Sequence, residues 1–335
     1  MSRSRPRPAL KLALVVGSTV FSILLIELVL RLVGVHYSPV DIELIGGAHD
    51  ARFQFSFENS DFEFDPEQIW RPRPGRSVFN DLGYRGRELA APRAPGELRV
   101  LALGDSNTLG WGSRDLHWPR FLEEDLEAAH PPASVINAGV WGHTAAQGEA
   151  RMRQFMALDP NIVLISYGAN EAHRVTVGDA EYVSRVSTTP ERMFLYRFAI
   201  GRLILKGQDA ISGRAQANAH PEPVFRVPLG EYEAHLVAMI EAARRRGARV
   251  LLLTRPWTGD SPTPDHWKNF GPDYRAATFA VGERLGVPVI DINGAFADRP
   301  EDFEDESHFN EAGHRRAGRL IADAILADIA VNPLD

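Results

Sequence analysis

The sequence contains no cysteine. That excludes disulfides, thiolate metal sites and cysteine nucleophiles outright. It does not fix the compartment, although a cysteine-free chain suits a bacterial envelope protein that avoids stray oxidation. A basic face is missing too. The 335 residues carry 37 Lys and Arg against 44 Asp and Glu, a net charge of −7. Arg3, Arg5, Arg7, Lys11 and Arg31 fall in the first 35 residues with only Glu27 against them, a surplus of four, which leaves the body at −11. An acidic body argues against nucleic-acid binding, which needs a basic footprint. Also absent are the spaced ligand motif H-E-x-x-H of metal hydrolases and the Walker A and G-x-G-x-x-G loops of nucleotide-binding folds. No repeat of fixed period is found.

What is present begins with one apolar run. Residues 12–26 (LALVVGSTVFSILLI) carry no charge, and after Glu27 and Arg31 the apolar character resumes to Val35. Fifteen helical residues span roughly 22 Å, short of a hydrocarbon core of roughly 30 Å, but extension to Val35 is ample. Glu27 and Arg31 then pair at i, i+4 near one interface, and the basic residues before Leu12 stay cytoplasmic. Residues 1–35 therefore read as a cytoplasmic basic tail and transmembrane signal anchor. A cleaved signal peptide shares the basic flank and apolar length, but no small-x-small site follows Ile26. Either way the body lies on the periplasmic or extracellular side of the cytoplasmic membrane.

Residues 36–97 read as an irregular spacer that packs onto the body, with aromatics from Phe53 to Trp70 and a Pro/Arg-rich patch at Arg71–Arg76. From Leu98 short apolar runs alternate with amphipathic helices, and the 44% hydrophobic content suffices for one large core. Strands are expected at Leu98–Leu103, Ser134–Ala138, Asn161–Tyr167, Arg249–Thr254 and Val287–Ile290, apolar almost throughout as in a parallel sheet covered on both faces. Helices are expected at Trp118–Ala129, Thr144–Ala157, Glu231–Arg246, Pro272–Leu285 and Glu311–Ile329. Strand–helix–strand repetition implies a doubly wound parallel sheet. Residues 171–229 interrupt it. There Met193–Lys206 is expected to be an apolar helix that either covers the site or faces the membrane, or else simply packs on the sheet, and Gly207–Pro228 a loop.

Four points sit at the carboxyl ends of these strands, where open parallel sheets collect their functional residues. Ser106 lies in LALGDSNTLGWG (Leu101–Gly112), between glycines that allow a sharp turn. Gly139 lies in VINAGVWGHT, able to present its N–H with no side chain in the way. Asn170 lies in ISYGANEAH, with an amide that can donate to a developing oxyanion. Asp305 precedes His308 by three residues before the last helix, a spacing that lets a carboxylate fix the imidazole tautomer.

Together and in this order they resemble the SGNH/GDSL hydrolase family, over about Leu98 to Ala327. The name-giving Ser, Gly, Asn and His are matched by Ser106, Gly139, Asn170 and His308. FNDLGYRGRE (Phe79–Glu88) is similar to the lead-in of bacterial membrane-anchored members. The resemblance implies a flavodoxin-like three-layer α/β/α sandwich on a five-stranded parallel sheet over residues 98–330. It implies a Ser106–His308–Asp305 triad and an oxyanion hole made by the Ser106 and Gly139 N–H groups and Asn170. It calls for no metal or cofactor. The implied activity is cleavage of carboxylic esters through an acyl-enzyme, on small or glycan-linked acyl groups. An O-acyltransferase acting on a cell-envelope polysaccharide would use the same triad, and a silent glycan-binding or assembly module could keep the scaffold. The oligomeric state is not implied. Two positions depart from the family pattern. Glu171 stands where Gly-x-Asn-Asp has its aspartate, and Asn107 follows the serine in place of leucine.

Overall fold

In this computed structural model, residues 8–33, 61–65, 67–110, 116–175, 178–187, 194–195, 198–216, 224–257 and 271–334 are described. Phe53, Phe55, Phe57, Trp111 and Gly112 lie outside them, as does most of the expected loop after Gln216. The chain divides into two units, residues 1–39 with 184–221, and residues 40–183 with 222–335.

The first unit holds α1 (Pro8–Leu32) and, further along the chain, α6 (Ala199–Gln216). Within α1 the stretch Lys11–Leu32 is long and apolar enough to cross a membrane by length and composition. The expected apolar helix at Met193–Lys206 and the expected loop from Gly207 are corrected by α6, which runs on to Gln216. No proline interrupts Gly207–Gln216, and its side chains permit the helix to continue.

The chain also forms α5 (Asp179–Ser187) and α9 (Ile292–Ala295). In the second unit β6 (Arg174–Val175) pairs with β7 (Val224–Phe225), and the main sheet consists of β3 (Leu98–Gly104), β4 (Ala133–Asn137), β5 (Ile162–Ser166), β8 (Arg249–Leu253) and β9 (Val289–Ile290). All pairings in the main sheet are parallel, in the order β4-β3-β5-β8-β9. This is the flavodoxin-like order, with the expected five strands. Leu98, Val100 and Ala102 of β3 face a core shared with Leu122 and Leu126 of α3 (Trp118–Ala129) and with Ile321 and Ile325 of α10 (Glu311–Val331). Leu101 and Leu103 face the opposite core, with α4 (Ala145–Phe155), α7 (Leu229–Arg245) and α8 (Gly271–Leu285). The period-two alternation between two apolar cores makes β3 apolar at nearly every position.

Helix boundaries follow local chemistry. Pro119 occupies the first turn of α3, and Thr144 with Gln147 forms a capping box on α4. The Asn310 side chain accepts from the Gly313 N–H at the start of α10. Gly247 and Gly286, at φ +77° and +59°, end α7 and α8 in the left-handed region.

Residues 61–97 are built into this unit. The hairpin β1 (Phe62–Asp65) and β2 (Ile69–Pro72) packs with Phe79, Val140 and Val175. Trp70 is fully buried and its indole N–H donates to the Trp141 carbonyl at 3.0 Å.

Candidate active site

The chain leaves β3 for β4 on one side and reaches β5 on the other, so the carboxyl ends of β3 and β5 frame the topological switch point of the sheet. β3 ends at Gly104 and α2 (Ser106–Leu109) starts two residues later. A Cβ on Gly104 would lie 2.1 Å from Thr108 Oγ1 and 2.9 Å from the Ser166 carbonyl, so only glycine lets this turn close. Asp105 caps α2 by accepting from the Asn107 N–H at 2.9 Å. Arg85, from the lead-in segment, donates to the Leu109 and Gly110 carbonyls at 2.8 and 3.0 Å. The short helix bearing Ser106 is thus held at both ends.

Ser106 Oγ lies 2.7 Å from His308 Nε2. His308 Nδ1 lies 2.7 Å from Asp305 Oδ2 and 2.9 Å from Oδ1. An ionised carboxylate only accepts, so Nδ1 carries the proton and Nε2 is left to accept from the serine hydroxyl. Asp305 Oδ1 also accepts from the backbone N–H groups of Ser307 and His308 at 2.9 and 2.8 Å. Partial burial raises the Asp305 pKa, but the bond and charge of His308 and the two N–H donors outweigh it and bring the value down to about 2. The carboxylate is therefore ionised throughout the neutral range.

This loop is fastened by groups that the sequence did not mark. The Ser307 carbonyl accepts from Asn107 Nδ2 at 2.8 Å and from the Arg255 guanidinium at 2.6 Å. Arg255 Nε in turn donates to Asp105 Oδ2 at 2.7 Å, in a pair that is buried on both sides. Asn107, the residue that departs from the family's leucine, ties the nucleophile turn to the histidine loop. The available signal for Arg255 was a lone cation just past the apolar strand β8.

The three expected oxyanion donors differ in what they already hold. Among the described residues nothing accepts from the Ser106 N–H. Asn170 Nδ2 donates to the His143 carbonyl at 2.9 Å and sits 3.5 Å from Asp105 Oδ2, too far for a strong bond, so its second hydrogen is available. The Gly139 N–H is engaged by Asn137 Oδ1 at 3.1 Å. A Cβ at Gly139 would meet the Leu109 nitrogen at 2.3 Å, so glycine is required there by close backbone approach.

Glu171 has a structural place. Its fully buried carboxylate accepts from the Ala145 N–H at 2.7 Å and the Gly168 N–H at 3.0 Å, clamping the start of α4 to the loop after β5. Burial pushes its pKa up to about 7 against these donors. Nearby, Arg226 and Asp179 form a fully buried pair that also holds the Gly142 carbonyl and the Thr144 hydroxyl. Among the described residues no group of three His, Asp or Glu converges as a metal ligand set. A groove of about 1030 Å³, lined by Arg87, Glu88, Glu123 and Glu127 among others, includes none of the five expected site residues.

Comparison with known proteins gives three kinds of likeness. The chain is 35% identical over 78 residues to an arylesterase of Vibrio mimicus, a stretch covering 23% of this chain and 39% of that protein. It is similar to a lipase/acylhydrolase from Enterococcus faecalis, with 20% identity, a TM-score of 0.48 and coverage of 68% of this chain and 95% of that one. It is similar to an aryl esterase of M. smegmatis, with 16% identity, a TM-score of 0.47 and coverage of 68% and 98%. The sequence profile of the GDSL-like lipase/acylhydrolase family matches residues 102–316, which take in the nucleophile turn, both middle loops and the histidine loop. That span is more than half of the chain, and the protein belongs to the GDSL-like lipase/acylhydrolase family.

Proposed function

We propose that this chain is a carboxylic ester hydrolase that works through a Ser106–His308–Asp305 triad. The observation that carries the reading is the unbroken relay from Ser106 Oγ through His308 to Asp305, 2.7 Å at each step. His308 Nε2 takes the hydroxyl proton as Ser106 Oγ attacks the acyl carbonyl. The Ser106 N–H and the second Asn170 hydrogen stabilise the oxyanion. The Gly139 N–H contributes to the extent that it turns from Asn137. The imidazolium returns its proton to the leaving alcohol, and the Ser106 acyl ester remains. Water, deprotonated by the same nitrogen, then releases the acid. Asp305 is the most open member of the triad, with 43% of its side chain exposed, which suits water as the second acceptor.

The finer reading adds α1 as a membrane anchor with the catalytic body outside the cytoplasm, and small or glycan-linked acyl groups as substrate. The basic flank, the apolar length of α1 and the lack of a cleavage site support the anchor. That side of the membrane makes acetylated glycans available as substrates.

A serine-directed fluorophosphonate tests the first claim. The wild-type protein should be labelled and Ser106→Ala should not, with thermal stability little moved. Persistent labelling of Ser106→Ala, or wild-type turnover in His308→Ala, overturns the triad. A panel of esters of increasing acyl length, run with and without glycan acceptors, tests the substrate reading. A C-terminal reporter active only in the cytoplasm would overturn the topology.

A further inference from the structure

Glu27 is the sole carboxylate in α1, and it is occupied. Its Oε1 accepts from the Ala199 N–H at 2.9 Å and its Oε2 from the Ile200 N–H at 3.0 Å. Arg31 Nε donates to Oε1 at 2.7 Å. Ala199 and Ile200 are the first residues of α6, whose opening N–H groups have no partner inside their own helix. A carboxylate in an apolar span is costly unless its lone pairs are filled. Here a second helix start fills them.

This joint fixes a depth. Glu27 lies five residues before the end of α1, about 7.5 Å inside it at 1.5 Å per residue. α6 therefore begins below the level at which α1 leaves the apolar layer. Ile200, Leu203, Ile204 and Ile211 fall within an arc of about 100° on α6, and the last three are exposed. Phe194 and Phe198, just ahead of it, are also exposed, with their rings edge to face at 5.3 Å. Phe and Leu are residues that the apolar face of an interfacial helix carries. The apolar stretch of α1 is itself uncovered by the described residues. The two surfaces meet at Glu27, so what bathes one bathes the other.

We infer that the apolar face of α6, with Phe194 and Phe198, is a lipid-contacting surface. The helix lies in the outer interface of the bilayer and is fastened by its N-terminus to Glu27 of the spanning helix. The inference rests on the reading of α1 as a membrane span. It gives the interruption of the apolar run a role as a buried cap, and it gives the insertion a lipid partner.

The absence of cysteine makes the test direct. Single cysteines are placed at Leu203, Ile204, Ile211, Asp209 and Ile23 of the full-length chain, labelled with a nitroxide and reconstituted in phosphatidylcholine–phosphatidylglycerol vesicles. Collisions with oxygen, which concentrates in lipid, are compared with those of a water-soluble nickel chelate. The oxygen preference at 203, 204 and 211 should exceed that at 209, on the opposite side of the helix by spacing, several-fold. A lipid signature at 23 with a watery one at 203, 204 and 211 overturns the inference and leaves the anchor standing. A watery signature at 23 removes the anchor reading and the inference with it. Labels at 203, 204 and 211 shielded from both reagents would show a protein surface in place of lipid, and also overturn it. In Glu27→Ala the signature at 211 should fall to that of 209, whereas Glu27→Gln, which keeps one acceptor oxygen, should retain part of it. An unchanged signature in both variants overturns the fastening role of Glu27.

Discussion

Asp305 does two jobs with two oxygens. Oδ1 accepts from the Ser307 and His308 backbone, and both oxygens face His308 Nδ1. In Asp305→Asn the backbone donors retain Oδ1, so the new amide N–H₂ points at Nδ1. The imidazole must then move its proton to Nε2, and it can no longer accept from Ser106. The expected loss in kcat is about 10⁴-fold, read by steady-state kinetics, and a loss under about tenfold would show that the tautomer is held by something else. Asn170→Ala should lower kcat by about 10²- to 10³-fold with KM little moved, because the oxyanion exists only near the transition state. A rise in KM at constant kcat would make Asn170 a ground-state contact instead. The candidate residues Ser106 and Asn170 stand out in the sequence because each closely follows an apolar strand, whose end is visible as a change of composition, whereas Asp305 and His308 stand out by their three-residue spacing ahead of the last helix. The engagement of Gly139 by Asn137 could not, since a side chain curling back on the backbone two residues later leaves no mark in spacing. Nor could the pairing of Asn107 with Ser307, 200 residues apart.

Elements were legible to the extent that they announce their own ends. α3 lies at Trp118–Ala129 as expected, because Pro119 opens it and an apolar stripe runs through it. α6 was misplaced because its start is set by Glu27, far away in the chain, and no local cap marks it. The same blindness hid Arg255, which joins the nucleophile turn to the histidine loop across strand β8. Arg255→Ala would strand the Asp105 carboxylate in a buried site and leave the Ser307 carbonyl to Asn107 alone. Removing one partner of a buried pair costs about 3–5 kcal/mol, so the unfolding midpoint should drop markedly. Loss of turnover from simple instability is separable with Arg255→Lys, which keeps the charge but cannot reach both partners at once. That variant should stay folded with kcat reduced more than KM is raised. Wild-type kcat in a folded Arg255→Lys would leave Arg255 with a purely structural part.

At the scale of the whole molecule, the three histidines that are buried among the described residues shape how stability responds to acid. Burial lowers His117 to about 2 and His314 to about 3, and it holds His143 well below the usual value of 6.5, with nearby arginines adding to each effect. The hydrogen bonds agree with neutral rings. His117 Nδ1 accepts from the Arg120 N–H, His314 Nδ1 accepts from the Trp118 N–H, and His143 Nε2 donates to the Trp70 carbonyl. The folded pKa of each lies below its unfolded value, so the unfolded chain takes up the protons first. Their contribution to stability is whole above pH 6.5 and is lost as the pH falls below it. Glu171, raised by burial to about 7, has the opposite sign, because below 7 the folded state holds a proton that the unfolded state releases down to its ordinary range near 4.5. Glu123 is also raised by burial and acts with the same sign. The contribution of Asp305, lowered to about 2, is lost only below its ordinary value of 3.8. Between pH 4.5 and 6.5 the three uptakes, set against the Glu171 release, leave about one to two protons. Stability should then fall by about 1.4–2.7 kcal/mol per pH unit. Two pH units of that slope are a large part of the roughly 5–15 kcal/mol that a folded domain holds. Thermal unfolding of the full-length protein in detergent, followed by tryptophan fluorescence from pH 7.5 to 4.5, should show a midpoint that drops steadily below pH 6.5. His143→Gln keeps a donor for the Trp70 carbonyl but cannot titrate, so it should flatten that slope by about one proton's worth, roughly 1.4 kcal/mol per pH unit. A wild-type midpoint that stays level to pH 5 would mean that these rings are protonated in the folded state, and the neutral tautomers drawn from their hydrogen bonds would have to be abandoned.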